Sequence, residues 1–311
     1  MILSVTLNPV VDTTFFVEAM QPVYRTEASA VTHLTGGKGT NVARALRCLG
    51  EEGSTLIALG GKMGRVAADT LAEEGLHADI AWISGETRLM ITVVDPDCNQ
   101  RAFFAPNTPF TSQDAASVQS AFDSLLDAAD SVCLCGSSPA PEADDLFAYI
   151  IQNARRHNLP TILDSSGGGL RRGLTVSPSV VKVNLSETEG LLGRPLPTMT
   201  DRLRALDELR DKGTQWAIIT SGESGALMSC AKGEYWTVRP PEMNVVNPIG
   251  CGDAMTAGLA LAMKGHKSPP ECLRYSTAVA AANALSWDAC LFDPAAVASL
   301  LPQVELAPIP S

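Results

Sequence analysis

The chain has 311 residues, 45% of them hydrophobic and 18% charged, a balance that fits a folded protein and excludes a disordered one. Its formal net charge of −11 argues against a nucleic-acid binder, because a phosphate backbone demands a basic face. A small anion held by a few local cations remains compatible with it. No apolar run approaches the roughly 18 residues that a membrane helix needs, so no contact with a membrane is expected.

In chain order, residues 1–7 lack the basic region of a signal peptide and read as a first strand, which makes the cytoplasm the expected location. Residues from about 10 to 35 hold strand-like pieces without a helix between them. Val42, Ala45, Leu46 and Leu49 then line one face of a helix. Residues 55–59 read as a strand, and Val66, Thr70, Leu71 and Glu74 mark a helix ending at Gly75. Residues from about 86 to 108 again carry strand-like pieces alone. With the first such segment they are expected to pair as a small antiparallel sheet, either a lid over a site or a plain edge extension.

Thr111 and Asp114 make a capping box before the amphipathic helix of Val118, Phe122, Leu125 and Ala129. Residues 132–135 form a strand, and Leu146, Phe147, Ile150, Ile151 and Ala154 line the next helix. Short apolar strands follow at 161–164, 180–183 and 216–220, and residues 270–285 are helical. This alternation implies an α/β fold with a mostly parallel sheet covered on both faces, where ligands sit at the carboxyl ends of strands. No repeat or linker divides it, so residues 1–311 are expected to form one domain.

Eight cysteines, at 48, 98, 133, 135, 230, 251, 272 and 290, show no C-x-x-C or Cys/His ligand spacing, so a zinc site is not expected. Cys133 and Cys135 read as small hydrophobes of a buried strand. Cys251 differs, because a helix N-terminus can lower a thiol pKa and make it sensitive to oxidation; a small residue in a tight loop is the simpler account.

Four segments carry candidate chemistry. In Asn247-Pro248-Ile249-Gly250-Cys251-Gly252-Asp253, two glycines and the start of an alanine-rich helix expose N–H groups to an anion. Asp253 is then either a group placed to take a proton beside a phosphate or an ordinary first-turn acid. Gly36-Gly37-Lys38-Gly39-Thr40-Asn41 lets a ligand approach the backbone, with Lys38 and Asn41 near hydroxyls or a phosphate. It lacks the spacing of a Walker A loop. Asn184 and Glu187 suit hydrated magnesium or, equally, an Asn-capped helix with Glu at its third position. Residues 220–226 form either a nucleotide cradle or a simple turn.

In this order the motifs resemble the PfkB (ribokinase-like) family of ATP-dependent sugar kinases, over nearly the whole chain. Leu7-Asn8-Pro9-Val10-Val11-Asp12 is similar to the family's N-terminal sugar-binding segment. Gly36 to Arg44 resembles its first signature and Asn247 to Gly258 its second. Thr6-Leu7-Asn8-Pro9, Ser84-Gly85-Glu86-Thr87-Arg88 and Asn247-Pro248 look like the phosphosugar branch of 1-phosphofructokinases and tagatose-6-phosphate kinases. Three departures stand out: Val183 where the family has proline, Cys251 where it has Ala or Ser, and Ser137-Ser138-Pro139-Ala140-Pro141 where the branch has G-S-L-P.

The resemblance implies a ribokinase-like three-layer fold with a β lid, formed by residues of about 10–35 and 86–108. It implies ATP and Mg2+ as co-substrate and cofactor, and a ketohexose phosphate as acceptor. A tagatose 6-phosphate kinase is the first expectation, with 1-phosphofructokinase or 6-phosphofructokinase as alternatives. A non-catalytic nucleotide or sugar-phosphate sensor is the reading from another class. Asp253 would be the base and Gly250, Cys251 and Gly252 the anion hole. Asp12, Gly37, Lys38 and Asn41 would hold sugar hydroxyls, with Arg88 and Arg25 on the substrate's phosphate. Lys182 would lie near the nucleotide phosphates, Thr220, Gly222 and Gly225 along the ATP site, and Asn283 near adenine. Asn184 and Glu187 would hold magnesium through water. A homodimer through the lid and a monomer covered by its own lid both fit.

Overall fold

Residue alternation decides the layout. In the first strand, Leu3 and Val5 pack into one apolar cluster and Ile2 into another; in residues 131–135, Val132 and Leu134 join the first cluster, Cys133 and Cys135 the second. Each strand therefore feeds two cores, and the sheet is covered on both sides. The computed structural model describes residues 1–20, 25–97 and 99–310. Expectations touching residues 21–24 and Cys98 lie outside the described residues.

The elements in chain order are β1 (Ile2–Thr6), β2 (Val10–Phe16), β3 (Ala30–Gly36), α1 (Lys38–Cys48), β4 (Gly53–Leu59), α2 (Gly61–Glu73), β5 (Ala78–Trp82), β6 (Arg88–Val94) and β7 (Gln100–Phe104). There follow α3 (Ser112–Leu125), β8 (Ser131–Cys135), α4 (Asp144–Arg156), β9 (Thr161–Asp164), α5 (Gly167–Leu174), β10 (Val180–Asn184), α6 (Leu185–Leu192) and α7 (Met199–Arg210). The last are β11 (Trp216–Thr220), β12 (Ala226–Ala231), β13 (Glu234–Arg239), α8 (Cys251–Lys264), α9 (Pro269–Ala284), α10 (Pro294–Leu300) and β14 (Glu305–Ile309). Among the described residues ten strands form the main sheet, in the order β14-β13-β12-β11-β10-β9-β8-β1-β4-β5. From β11 to β5 neighbours run parallel; β12, β13 and β14 turn the far edge antiparallel. This is the mostly parallel, helix-covered α/β architecture expected. The expected capping box forms at Thr111 and Asp114.

The β12–β13 hairpin and β14 were not foreseen. Lys232-Gly233 between two short apolar stretches, with Gly233 at φ 72, is the turn signal for the hairpin. Pro308 lies in β14, at the sheet edge, where a missing N–H does no harm.

A second sheet, in the order β3-β2-β6-β7, is the lid. It is not antiparallel throughout. β2 pairs with β3 antiparallel but with β6 parallel, from Val10 opposite Arg88 to Phe16 opposite Val94. The reason is topological: β2 follows β1 and β6 follows β5, and both leave the carboxyl ends of parallel strands in the same direction.

Period-two alternation puts Asp164 and Lys182 on the sheet face that α1 and α8 cover, with Leu163, Val181 and Val183 on the other. Helix α1 starts hard against β1. A Cβ on Gly39 would lie 2.4 Å from Thr6 Oγ1 and 2.6 Å from the Val5 carbonyl oxygen, so glycine alone lets the helix begin there. The carboxyl ends of β1, β9 and β10 thus meet the N-termini of α1 and α8. No helix among the described residues is long and apolar enough to cross a membrane.

Candidate active site

The centre of the site is a buried carboxylate. Asp164 ends β9 and is 1% exposed. Its Oδ1 accepts a bond of 2.9 Å from Lys38 Nζ, its Oδ2 lies 2.6 Å from Lys182 Nζ, and Oδ2 also accepts from Thr256 Oγ1 at 2.9 Å. Burial works to raise the Asp164 pKa, but the two ammonium groups outweigh it and hold the group well below the usual carboxylate range. Lys38 also donates to Glu187 Oε1 at 3.3 Å. Burial disfavours its charge, yet Asp164, Glu187 and Asp253 together keep its pKa well above the ordinary lysine value.

Asp253 lies in the first turn of α8 and is itself buried. Its Oδ2 accepts a 2.7 Å hydrogen bond from Asn41 Nδ2. Burial, and then the Asp164 charge, push its pKa up to about 6, against the opposing pull of Lys38, Asn41 and Lys182. Two carboxylates under one helix end therefore differ in kind: Asp164 is locked as an anion, Asp253 is poised to take a proton.

The turn ahead of Asp253 is shaped as an anion cradle. Gly250, the N-cap of α8, has φ 83, a left-handed conformation that favours glycine, and no side chain caps the helix. The Cys251 amide donates to the Pro248 carbonyl at 3.3 Å, so the anion hole expected at Gly250, Cys251 and Gly252 is reduced to the amides of Gly250 and Gly252, with that of Asp253 behind them. A Cβ on Gly252 would come within 3.6 Å of Lys182 Nζ, so the lysine lies directly beside this turn.

Asn283, expected near adenine, does something else. It is 1% exposed, donates through Nδ2 to the Ile249 carbonyl (2.9 Å) and to Cys251 Sγ (3.3 Å), and accepts from Cys290 N at 2.6 Å. Its amide braces the cradle and has no free group to offer a base. For Cys251 burial raises the thiol pKa, with the Asn283 bond opposing the rise and Asp253 adding to it, which agrees with a small residue in a tight loop and not with an activated thiol.

A scan against protein-family models matches residues 5–295 to the pfkB family of carbohydrate kinases. The chain belongs to that family. Its fold superposes on phosphofructokinase-2 of Escherichia coli with TM-score 0.88 at 24% identity, covering 97% of this chain and 98% of that one. It does so on a Thermotoga maritima protein provisionally named a 1-phosphofructokinase with TM-score 0.87 at 24% identity, over 99% of each chain. These likenesses show the shared ribokinase-like fold; the family shows a kinase that moves a phosphoryl group to a sugar alcohol.

In this kinase the remaining expected residues fall into three groups. Asn184 and Glu187 form a reciprocal cap on α6: Glu187 N donates to Asn184 Oδ1 at 2.7 Å and Asn184 N to Glu187 Oε2 at 2.8 Å. No cluster of three or more His, Cys, Asp or Glu side chains able to hold a metal occurs among the described residues. The donor set therefore fits only an ion that keeps most of its waters, as magnesium does. Thr220 ends β11; Gly222 and Gly225 follow at φ 58 and 86 in the tight turn before β12. Gly37, at φ 136, caps α1.

The third group sits at the root of the lid. Arg88 donates to Asn107 Oδ1 at 2.9 Å and to the Asn8 carbonyl at 3.1 Å, while its buried Nε has no partner among the described residues. Asn8 Nδ2 reaches Ser137 Oγ at 3.2 Å, and its buried Oδ1 is also unpartnered. Asp12 faces the same side from β2 and accepts long bonds, 3.4 Å each, from Thr14 and Thr92. Burial raises its pKa, against those two bonds. Gly136 adjoins Lys38, a Cβ there lying 3.8 Å from Lys38 Cβ, so the lid group and the Asp164 group are neighbours through residues 136–137. Arg25 is not among them: its side chain is 80% exposed and pairs with Glu27 at 3.2 Å.

The sequence reading does not single out Asp164, Thr256 or Asn107. The signal for Asp164 is a charge closing an otherwise apolar strand, Thr256 lies within the second signature without standing out, and Asn107 has no signal.

Because the folded-state pKa of Asp253 lies above its unfolded value, native stability is lost as the pH rises from about 4, and the loss is complete once the pH passes about 6. At full ionisation the penalty is on the order of 2–3 kcal/mol, and it vanishes below about pH 4, where both states are protonated. Asp253→Asn should therefore raise the urea midpoint at pH 8, by an amount that shrinks toward pH 4. An unchanged or lower midpoint at pH 8 would contradict this.

Proposed function

We propose that this kinase transfers the γ-phosphoryl group of ATP to the free primary hydroxyl of a ketohexose phosphate, giving a bisphosphate. The carrying observation is Arg88. A guanidinium at the lid root, with a buried unpartnered Nε beside the unpartnered Asn8 Oδ1, fits a phosphate already on the sugar and a neighbouring hydroxyl. A plain sugar gives that arginine nothing to hold.

Asp253 receives the hydroxyl proton as the oxygen attacks, a role its raised pKa suits. The amides at Gly250 and Gly252, with Lys182 beside them, receive the negative charge of the phosphoryl group in flight. Asn41 and Asp12 orient the sugar, and Thr220, Gly222 and Gly225 line the nucleotide. Asn184 and Glu187 would hold hydrated magnesium, which neutralises polyphosphate charge. ATP as donor is consistent with a cytoplasmic location. The whole of residues 1–311 acts as one catalytic unit in this reading.

Tagatose 6-phosphate, fructose 1-phosphate and fructose 6-phosphate all meet the requirement. The neighbours' names favour the fructose phosphates; one Escherichia coli phosphofructokinase-2 structure is a complex with fructose 6-phosphate. ADP release with magnesium-ATP should be measured on these three sugars and on free fructose, for the wild type, Asp253→Asn and Arg88→Ala. A phosphorylated sugar should lead in kcat/KM, Asp253→Asn should lower kcat by roughly two to four orders of magnitude, and Arg88→Ala should raise KM for the sugar alone. Turnover preserved in Asp253→Asn removes the base. Equal use of free fructose removes the phosphate site, and nucleotide binding without turnover on any sugar supports a sensor.

The lid also supports a homodimer. Strand register puts Asp12 and Arg88 on its site-facing side and Val31, Phe15, Ile91, Val93 and Phe103 on the other. Of these Val31 is 45% and Phe103 62% exposed, an apolar face suited to a second copy. Sedimentation should give a dimer for the wild type and a monomer for Phe103→Glu; a monomeric wild type would sink the idea.

A further inference from the structure

Arg44 is the largest fully buried side chain among the described residues, at 0% exposure. A guanidinium that deep has to be fully occupied. Its Nε and one terminal nitrogen grip Glu74 just past the end of α2, at 2.7 and 3.1 Å. The same terminal nitrogen donates to the Thr35 carbonyl at 3.0 Å, near the end of the lid strand β3. The other terminal nitrogen donates to Asn41 Oδ1 at 2.8 Å.

Asn41 and Arg44 are three residues apart on α1 and share a face. The Asn41 amide thus stands between a guanidinium on one side and the Asp253 carboxylate on the other. Each neighbour demands the same orientation: oxygen toward Arg44, nitrogen toward Asp253. Reversing the amide would set its NH2 against the guanidinium and its oxygen against the carboxylate, losing both bonds and facing like charges.

We infer that Arg44, anchored by Glu74 and Thr35, is a positioning residue that holds the Asn41 amide so that it donates to Asp253, and so sets the proton affinity of the catalytic base. The inference rests on the reading of Asp253 as that base. The direction follows from chemistry. A donor to the charged form favours it, so losing the Asn41 bond raises the pKa of Asp253 further. The other charged or titratable groups facing Asp253 are Asp164 from β9, Lys182 from β10 and Lys38 from α1, with the thiols of Cys135, Cys251 and Cys290 around it. None of them is altered when Arg44 and Glu74 are neutralised together.

The test is the pH dependence of kcat/KM for the sugar in the wild type, Arg44→Met/Glu74→Gln, Asn41→Ala and all three changes combined. The double variant should move the acid limb upward by about one pH unit, so that kcat/KM falls roughly five-fold at pH 6 and little at pH 8. Asn41→Ala should move the limb in the same direction, and the combination should move it no further. An acid limb that stays put while the melting temperature falls would reduce Arg44 to a scaffold and overturn the inference. Displacements that add would overturn it too, since Arg44 would then act without Asn41. Should the double variant not fold, Arg44→Lys keeps the charge opposite Glu74 but cannot reach Asn41 at the same time; it should show the same displacement, and an unmoved limb would count against the inference. Asp253→Asn with near wild-type turnover would instead remove the base itself, an outcome separable from an inactive Asp253→Asn alongside an unmoved limb in the Arg44 variants.

Discussion

The Asp164 carboxylate, buried between Lys38 and Lys182, is the interaction on which the rest of the site depends. It joins four elements at one point: its own strand β9, the neighbouring strand β10, and the helices α1 and α8 through Lys38 and Thr256. Removing the carboxylate would leave the buried Lys182 ammonium without its counter-ion, a change that destabilises proteins by about 3–5 kcal/mol. The grouping also draws both lysines toward one anion before any substrate arrives. Burial first, and then the Asp164 charge, keep Asp253 above an ordinary carboxylate pKa although both ammonium groups pull it down.

A nucleotide polyphosphate entering beside Lys182 and the α8 amides would meet a cationic region that is partly neutralised and rigidly placed. Such a site does not have to reorganise when charge builds up on the transferring group, which is the main way a protein assists phosphoryl transfer. The environment divides labour between like groups. Asp164 is surrounded by cations and remains a counter-ion, whereas Asp253, raised by burial and a like charge, is able to take up a proton near neutral pH. The lid supplies the other half, presenting Arg88 and Asp12 from one face of a small sheet anchored at its root to Asn8 and Asn107.

Much of this was legible in residue order. The strands and helices of the two-faced core followed from alternation and capping, because burial on both sides leaves a plain signal in Val132, Leu134, Ile162 and Val181. The lid's existence was visible in strand-like stretches without helices, but its mixed pairing was not, since direction depends on which edge each strand leaves. Asp253 and its glycines stood out locally. Asp164 did not, because its meaning comes from Lys38, Lys182 and Thr256, which are distant in the chain. Asn283, placed near adenine by resemblance alone, has an amide already used by three protein partners, which no local pattern announces. The exposure of Arg25 and the burial of Cys251 are likewise set by the fold and not by the residues beside them in the chain.

The most direct test of this account is the ionisation of Asp253 itself, followed by carbon NMR of labelled aspartate carboxyls from pH 3 to 9, with Asp253→Asn identifying the resonance. The account predicts a midpoint near 6 for Asp253, while Asp164 shows no titration within that range. A midpoint for Asp253 at or below the ordinary aspartate value of about 4 would mean that the lysines serve it and not Asp164, and the division of roles between the two carboxylates would fall.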